Sequence, residues 1–206
     1  MANRIEVVDG LAGIFRMIPN AVATIDRSLL ELGYREHGKR GRGGHQMSPM
    51  DVSMAALALT MAIGTKGRIR AMECLMETRH VSEPDISLPK AFASILEHLA
   101  RGEEVSPYIS FSQLESCGEV GLSIGGSEIV HRFSGGLNRE PPPHRTRITL
   151  FQGIIRDISG LVTPSYCDEL SGIYDRLTSS CVKTGCETED IDTTPELRDG
   201  FGISGA

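Results

Sequence analysis

The chain of 206 residues has no tryptophan, and aromatic residues make up only 5% of it. An apolar fraction of 40% still suffices for a packed core, and the length suits one medium domain with an appendage or two small ones. Paired cysteines are missing as well. Cys74, Cys117, Cys167, Cys181 and Cys186 are odd in number, scattered and without a CxxC, which excludes a secreted disulfide framework. The Cys181/Cys186 spacing is not that of a zinc site, and the second half of such a site is lacking. The longest apolar run, residues 54–63, is too short to cross a bilayer. Arg4, Glu6 and Asp9 interrupt any signal-peptide pattern. The expectation from these absences is a cytoplasmic protein with no membrane partner.

Signatures of catalysis are equally scarce. No Ser/His/Asp or Cys/His arrangement stands out. Gly38-x-x-Gly41-x-Gly43 follows a helix-like segment rather than a strand, so it is neither a Walker loop nor a dinucleotide fingerprint. His37 and His45 do not make a designed metal site. The chain is expected to be no enzyme and to use no cofactor and no metal.

What the sequence does have is a concentration of positive charge. The formal net charge is −6, yet residues 1–70 hold ten Lys/Arg against six Asp/Glu, and residues 71–206 hold eleven against twenty-one. The first third is therefore net positive and the rest strongly negative. Its centre is the run 35–45, where Arg35, Lys39, Arg40 and Arg42 are interleaved with four glycines. Glycine allows close backbone approach and positive φ, and Lys/Arg contribute phosphate affinity through counterion release. The other reading is a solvated, glycine-rich connector.

That loop follows two helix-like segments. Residues 8–18 carry Val8, Leu11, Ala12, Phe15 and Ile18 at helical spacing, with Asp9 as N-cap. Pro19 breaks the run, Asn20 caps a second helix over 21–32 (Val22, Ile25, Leu29, Leu30, Leu32), and Gly33 closes it. Two short helices at a tight turn give a helix-turn-helix outline, with Thr24, Arg27, Ser28 and Glu31 on the outer face of the second. A third helix starts with Ser48 as cap, Pro49 at its first position and Asp51 at the dipole, and Gly64 ends it. Its stripe of Val52, Ala55, Ala56, Leu59, Ala62 and Ile63 reads as core, with Met47, Met50, Met54 and Met61 as adaptable packing.

The order of these elements resembles a pattern in small phage- and prophage-encoded proteins of bacteria. Leu29 to Gly33 matches a leucine-rich helix ending in glycine, Gly41-Arg42-Gly43-Gly44 a glycine/arginine loop, and Ser48-Pro49-Met50-Asp51 a [TS]-P-x-[DE] helix start. Those proteins look like winged-helix or helix-turn-helix regulators. The resemblance covers the first third of the chain, implies transcriptional control or DNA handling, and identifies no catalytic residue.

Further along, residues 68–80 read as a helix, and Lys66, Arg68 and Arg70 extend the positive face. Residues 82–86 read as a linker. Ser87 caps a helix over 88–99 with Ala91, Phe92, Ile95, Leu96 and Leu99 inward, leaving Glu97 and His98 on a solvated side. Beyond Gly102 the period becomes two: residues 108–111 and 120–124 alternate, Gly125-Gly126 makes a hairpin turn, and 128–133 return. Such a hairpin is marginal alone and must pack on something. Residues 134–144 are a loop, and 145–162 run from strand into an amphipathic helix striped by Phe151, Ile154, Ile155, Ile158 and Leu161. Residues 163–206 hold nine acids against three bases and, apart from a short helix over 168–177, read as a disordered acidic tail. Such a tail competes with phosphate for the basic loop in an autoinhibitory version, so a chain ending near residue 164 is expected to bind DNA more tightly.

The fold expected is α+β and α-rich. It has a winged-helix-like helix-turn-helix module (1–81), a helix-hairpin-helix region (82–164) and an acidic, largely disordered tail (165–206). The function expected is a DNA-binding regulator whose partner is double-stranded DNA, with a homodimer and a protein partner left open. Thr24, Arg27 and Ser28 would face base edges, and Arg35, Lys39, Arg40 and Arg42, helped by Lys66, Arg68 and Arg70, would contact phosphate. The alternative is a non-enzymatic interaction factor, a phage accessory or inhibitor, acting through the hairpin and the acidic surface.

Overall fold

A computed structural model describes residues 2–35, 46–61, 65–112, 117–135, 147–164 and 167–179. It is α+β and rich in helix. The chain begins with a two-residue strand β1 (Ala2–Asn3) and helices α1 (Arg4–Phe15) and α2 (Pro19–Glu31). Strand β2 (Gln46–Met47) returns antiparallel to β1, and helices α3 (Pro49–Thr60) and α4 (Thr65–Glu77) follow. Next come β3 (Arg79–His80), α5 (Leu88–Ala100), β4 (Ser106–Ser112), β5 (Cys117–Ile124), β6 (Ser127–Ser134) and β7 (Arg147–Leu150). Helices α6 (Gln152–Ser159) and α7 (Asp168–Ser179) close the described chain.

Local chemistry explains several boundaries. Ser48 and Asp51 form a capping box, each side chain taking the other's backbone N–H, and Pro49 occupies the first turn of α3. The Ser87 hydroxyl accepts from Lys90 N–H at the start of α5. At the β5–β6 hairpin both turn glycines have positive φ, 59° at Gly125 and 87° at Gly126, the conformation that matches the strand twist.

Other boundaries differ from the sequence expectation. Helix α1 starts at Arg4 because Asn3 and Glu6 make the capping box, and Asp9 lies exposed in mid-helix. Helix α2 has no side-chain cap; Pro19 begins it and Asn20 is inside. Helix α3 ends at Thr60, before Gly64, which lies outside the described residues. Arg79 and His80 are strand rather than helix end, because β6 offers them a ladder. Leu32, Phe151 and Ile154 are exposed instead of lining apolar stripes.

The hairpin does not stand alone. It lies inside a five-stranded antiparallel sheet ordered β3-β6-β5-β4-β7. Side chains alternate across it. Pro107, Ile109, Phe111, Val120, Leu122, His131 and Phe133 point to the buried side, where α5 and α6 pack. Gly118 on that side lets Leu88 of α5 come close, since an added Cβ would stand 2.9 Å from Leu88 Cδ2 and 3.1 Å from the Ser110 carbonyl oxygen.

Helix α5 is the centre of the molecule, touching α3, α4, α6, α7 and β5. Helix α3 is buried nearly all round, and even its Ser53 hydroxyl donates to the Pro89 carbonyl. One apolar cluster runs from Val7 of α1 through α3 and α5 to Leu177 of α7. Glu97 and His98, expected on a solvated side of α5, are buried. The reason is α7, which covers that side with Leu170, Ile173, Tyr174 and Leu177 instead of belonging to a loose tail. The Glu97 carboxylate accepts from Arg101 at 2.7 Å, and the His98 ring stacks on Tyr174 with centroids 3.7 Å apart while its Nδ1 meets Glu103 at 2.7 Å. Burial, followed by the Glu103 carboxylate, pushes the Tyr174 phenol far above its ordinary pKa.

Candidate nucleic-acid interface

Asp26 organises the N-terminal helices. Val22, Ile25 and Leu29 define the buried stripe of α2, and position 26 falls inside that stripe at helical spacing. A carboxylate there must be paired. Arg4, at the start of α1, donates to it at 2.6 Å, and Arg35, just past α2, donates at 2.8 Å. The Arg35 side chain is only 3% exposed and that of Asp26 2%, so the second pair is a desolvated one. Arg35 is therefore a strut and not a phosphate contact, and its Nε is buried without a partner among the described residues. The clue in the sequence was an acid on an apolar stripe with arginines on either side.

The same pairing holds the residues that flank the basic segment. Residues 36–45 leave from Arg35, which is tied through Asp26 to Arg4. They return at Gln46, which pairs with Asn3, the residue next to Arg4. Met47 then buries its side chain opposite Ala2. Both ends of the segment are thus fastened at the beginning of α1. Lys39, Arg40 and Arg42 lie outside the described residues.

On α2 the outward residues are Thr24 and Arg27, both exposed, with Ser28 half-buried beside them. The Thr24 hydroxyl donates to the Asn20 carbonyl at 2.8 Å and the Ser28 hydroxyl to the Thr24 carbonyl at 3.1 Å, so each keeps only its acceptor side outward. Arg27 has no ion pair among the described residues. Arg16, which the sequence reading passed over, caps α1 in the left-handed region with φ 52° and is exposed at the turn into α2. No sequence pattern marks it. Lys66, Arg68 and Arg70 lie in the first turns of α4. Later in α4 the charge reverses: burial raises the Tyr34 phenol pKa, and the carboxylates of Glu73 and Glu77 raise it further.

Among the described residues no group of three His, Cys, Asp or Glu is placed to hold a metal ion. No described helix is long and apolar enough to cross a membrane. Cys181 and Cys186 lie outside the described residues. No family model, curated protein or solved structure matches this chain.

Proposed function

We propose that the chain binds double-stranded DNA as a regulator of the phage or mobile-element kind. In this reading α2 meets base edges and the basic loop holds phosphate. The observation that carries it is the shared anchorage of the loop: both ends of a ten-residue segment holding Lys39, Arg40 and Arg42 are fixed at the start of α1, beside Asp26 of α2. The described residues that flank the segment therefore lie beside α2, so its cations and the outward face of α2 could meet one duplex together.

The roles divide by chemistry. Arg27 has the free donor fork that pairs with a guanine edge, and Thr24 and Ser28 offer acceptors beside it. Lys39, Arg40 and Arg42 contribute affinity without reading sequence, aided by Lys66, Arg68 and Arg70. Selection of duplexes from a random pool tests the reading. Arg27→Ala is expected to relax preference at one base pair by about 1–3 kcal/mol. Neutralising the three loop cations should weaken all duplexes alike. Failure to enrich any duplex, with the exposed Val81 and Val130 of the sheet protected by a protein partner instead, would favour the interaction-factor alternative.

A further inference from the structure

Two histidines outside the proposed interface form a hydrogen-bonded chain whose proton positions are fixed from both ends. His80 lies on β3 and His131 on β6, both buried. The backbone N–H of Glu83 donates to His80 Nδ1 at 3.0 Å, so that nitrogen carries no proton. The neutral ring must then carry its proton on Nε2, which lies 3.0 Å from His131 Nδ1. At the far end His131 Nε2 is 2.7 Å from the Leu177 carbonyl oxygen of α7, an atom that can only accept. His131 therefore holds its proton on Nε2 and accepts at Nδ1. The two ends demand the same direction, from Glu83 N–H through both rings to the carbonyl of Leu177.

This chain has no place for a further proton. A proton on His80 Nδ1 would face the Glu83 N–H, and one on His131 Nδ1 would face the His80 N–H. Either breaks a hydrogen bond and leaves a buried cation. Phe133 closes one side, its ring edge-on to His80 with centroids 5.3 Å apart.

We propose that the His80–His131 pair is an acid-sensitive latch holding the C-terminal turn of α7 to the sheet. Burial holds both imidazoles below the usual histidine range, and the neighbouring His131 lowers His80 further. Opposing influences are weaker: Glu83 and Asp85 raise His80, and the Leu177 carbonyl and Glu83 raise His131. Arg176 of α7 faces the same corner, pairs with Glu83 at 2.9 Å and Asp85 at 2.8 Å, and lowers His80. The Asp85 carboxyl is itself held down by its bond to Arg176, so this surface bridge persists through the range in which histidine titrates.

The sign follows from the depressed values. A released ring takes up a proton below its ordinary value of about 6.5 and the latched ring does not, so the latch is complete above that pH and weakens as pH falls toward the latched value. Residue-resolved hydrogen exchange on the full chain between pH 7.5 and 5, with amide rates corrected for intrinsic chemistry, is the test. Protection in the last turn of α7 is expected to fall about tenfold per pH unit below about 6.5 for one proton taken up, with α3 and α5 unchanged. Histidine nitrogen spectra should show both rings in the Nε2–H form at pH 7.5. His131→Gln, which keeps one acceptor and one donor but cannot titrate, should flatten the dependence. Protection of that turn unchanged down to pH 5, another tautomer at pH 7.5, or loss of protection shared equally by α5 would overturn the proposal.

Discussion

Asp26 shows what a single charge does when it falls on a buried stripe. Its carboxylate has water on no side and two arginines in place of it, and Arg35 depends on it in turn. Replacing it leaves the Arg35 guanidinium buried and unpaired. Asp26→Ala should therefore cost about 3–5 kcal/mol in chemical denaturation, far more than an exposed ion pair is worth. A cost below about 1 kcal/mol would mean that Arg35 finds water on its own. Arg16 makes the opposite case. Its positive φ suits glycine better: Arg16→Gly relieves about 1–2 kcal/mol of left-handed strain against about 0.4–1 kcal/mol of added chain entropy, so it should raise stability by about 1 kcal/mol at most while removing an exposed cation at the turn into α2. A protein more stable and weaker in duplex affinity would identify Arg16 as a cation kept for binding. Asp26 left a clue in the sequence, an acid on an apolar stripe, but not the identity of its partners, which lie beyond the helix; Arg16 left none, because its role depends on a backbone angle.

At the level of elements, what the sequence announced was local. The Ser48-Pro49-Met50-Asp51 start, the Ser87 cap and the Gly125-Gly126 turn are each complete within four residues, and each is where the pattern puts it. Ser48→Ala should cost α3 about 1 kcal/mol. Elements decided by distant partners were not announced. Strands β1, β2 and β3 are two residues long, too short for any period, and exist because another strand lies alongside. Glu97 and His98 looked solvated for the same reason: a helical stripe tells which side is apolar, not whether α7 will cover the polar one. Gly118 is the counterpart on the sheet. Gly118→Ala pushes against the Leu88 side chain and a backbone carbonyl together, and should cost about 1–3 kcal/mol in thermal or denaturant unfolding.

On the scale of the molecule, one core joins the N-terminal helices, the sheet and α7. A cut near residue 164 would therefore remove Leu170, Ile173 and Leu177 from that core, and the acidic segment is better removed after Ser179. Residues 180–206 hold six acids and two bases. If they compete with phosphate for the basic loop, a chain ending at Ser179 binds duplex DNA more tightly at moderate salt than the full chain. Equal affinity would remove that competition from the account.

The measurement that bears most directly on the proposed function is the salt dependence of duplex affinity. Each neutralised phosphate contributes about 0.9 to the slope of log affinity against log salt. The 206-residue chain should bind duplex DNA with a steep negative slope, and replacing Lys39, Arg40 and Arg42 by glutamine should reduce its magnitude by about 2.7. A slope unchanged by the three replacements, or no duplex binding at low salt, would contradict the account.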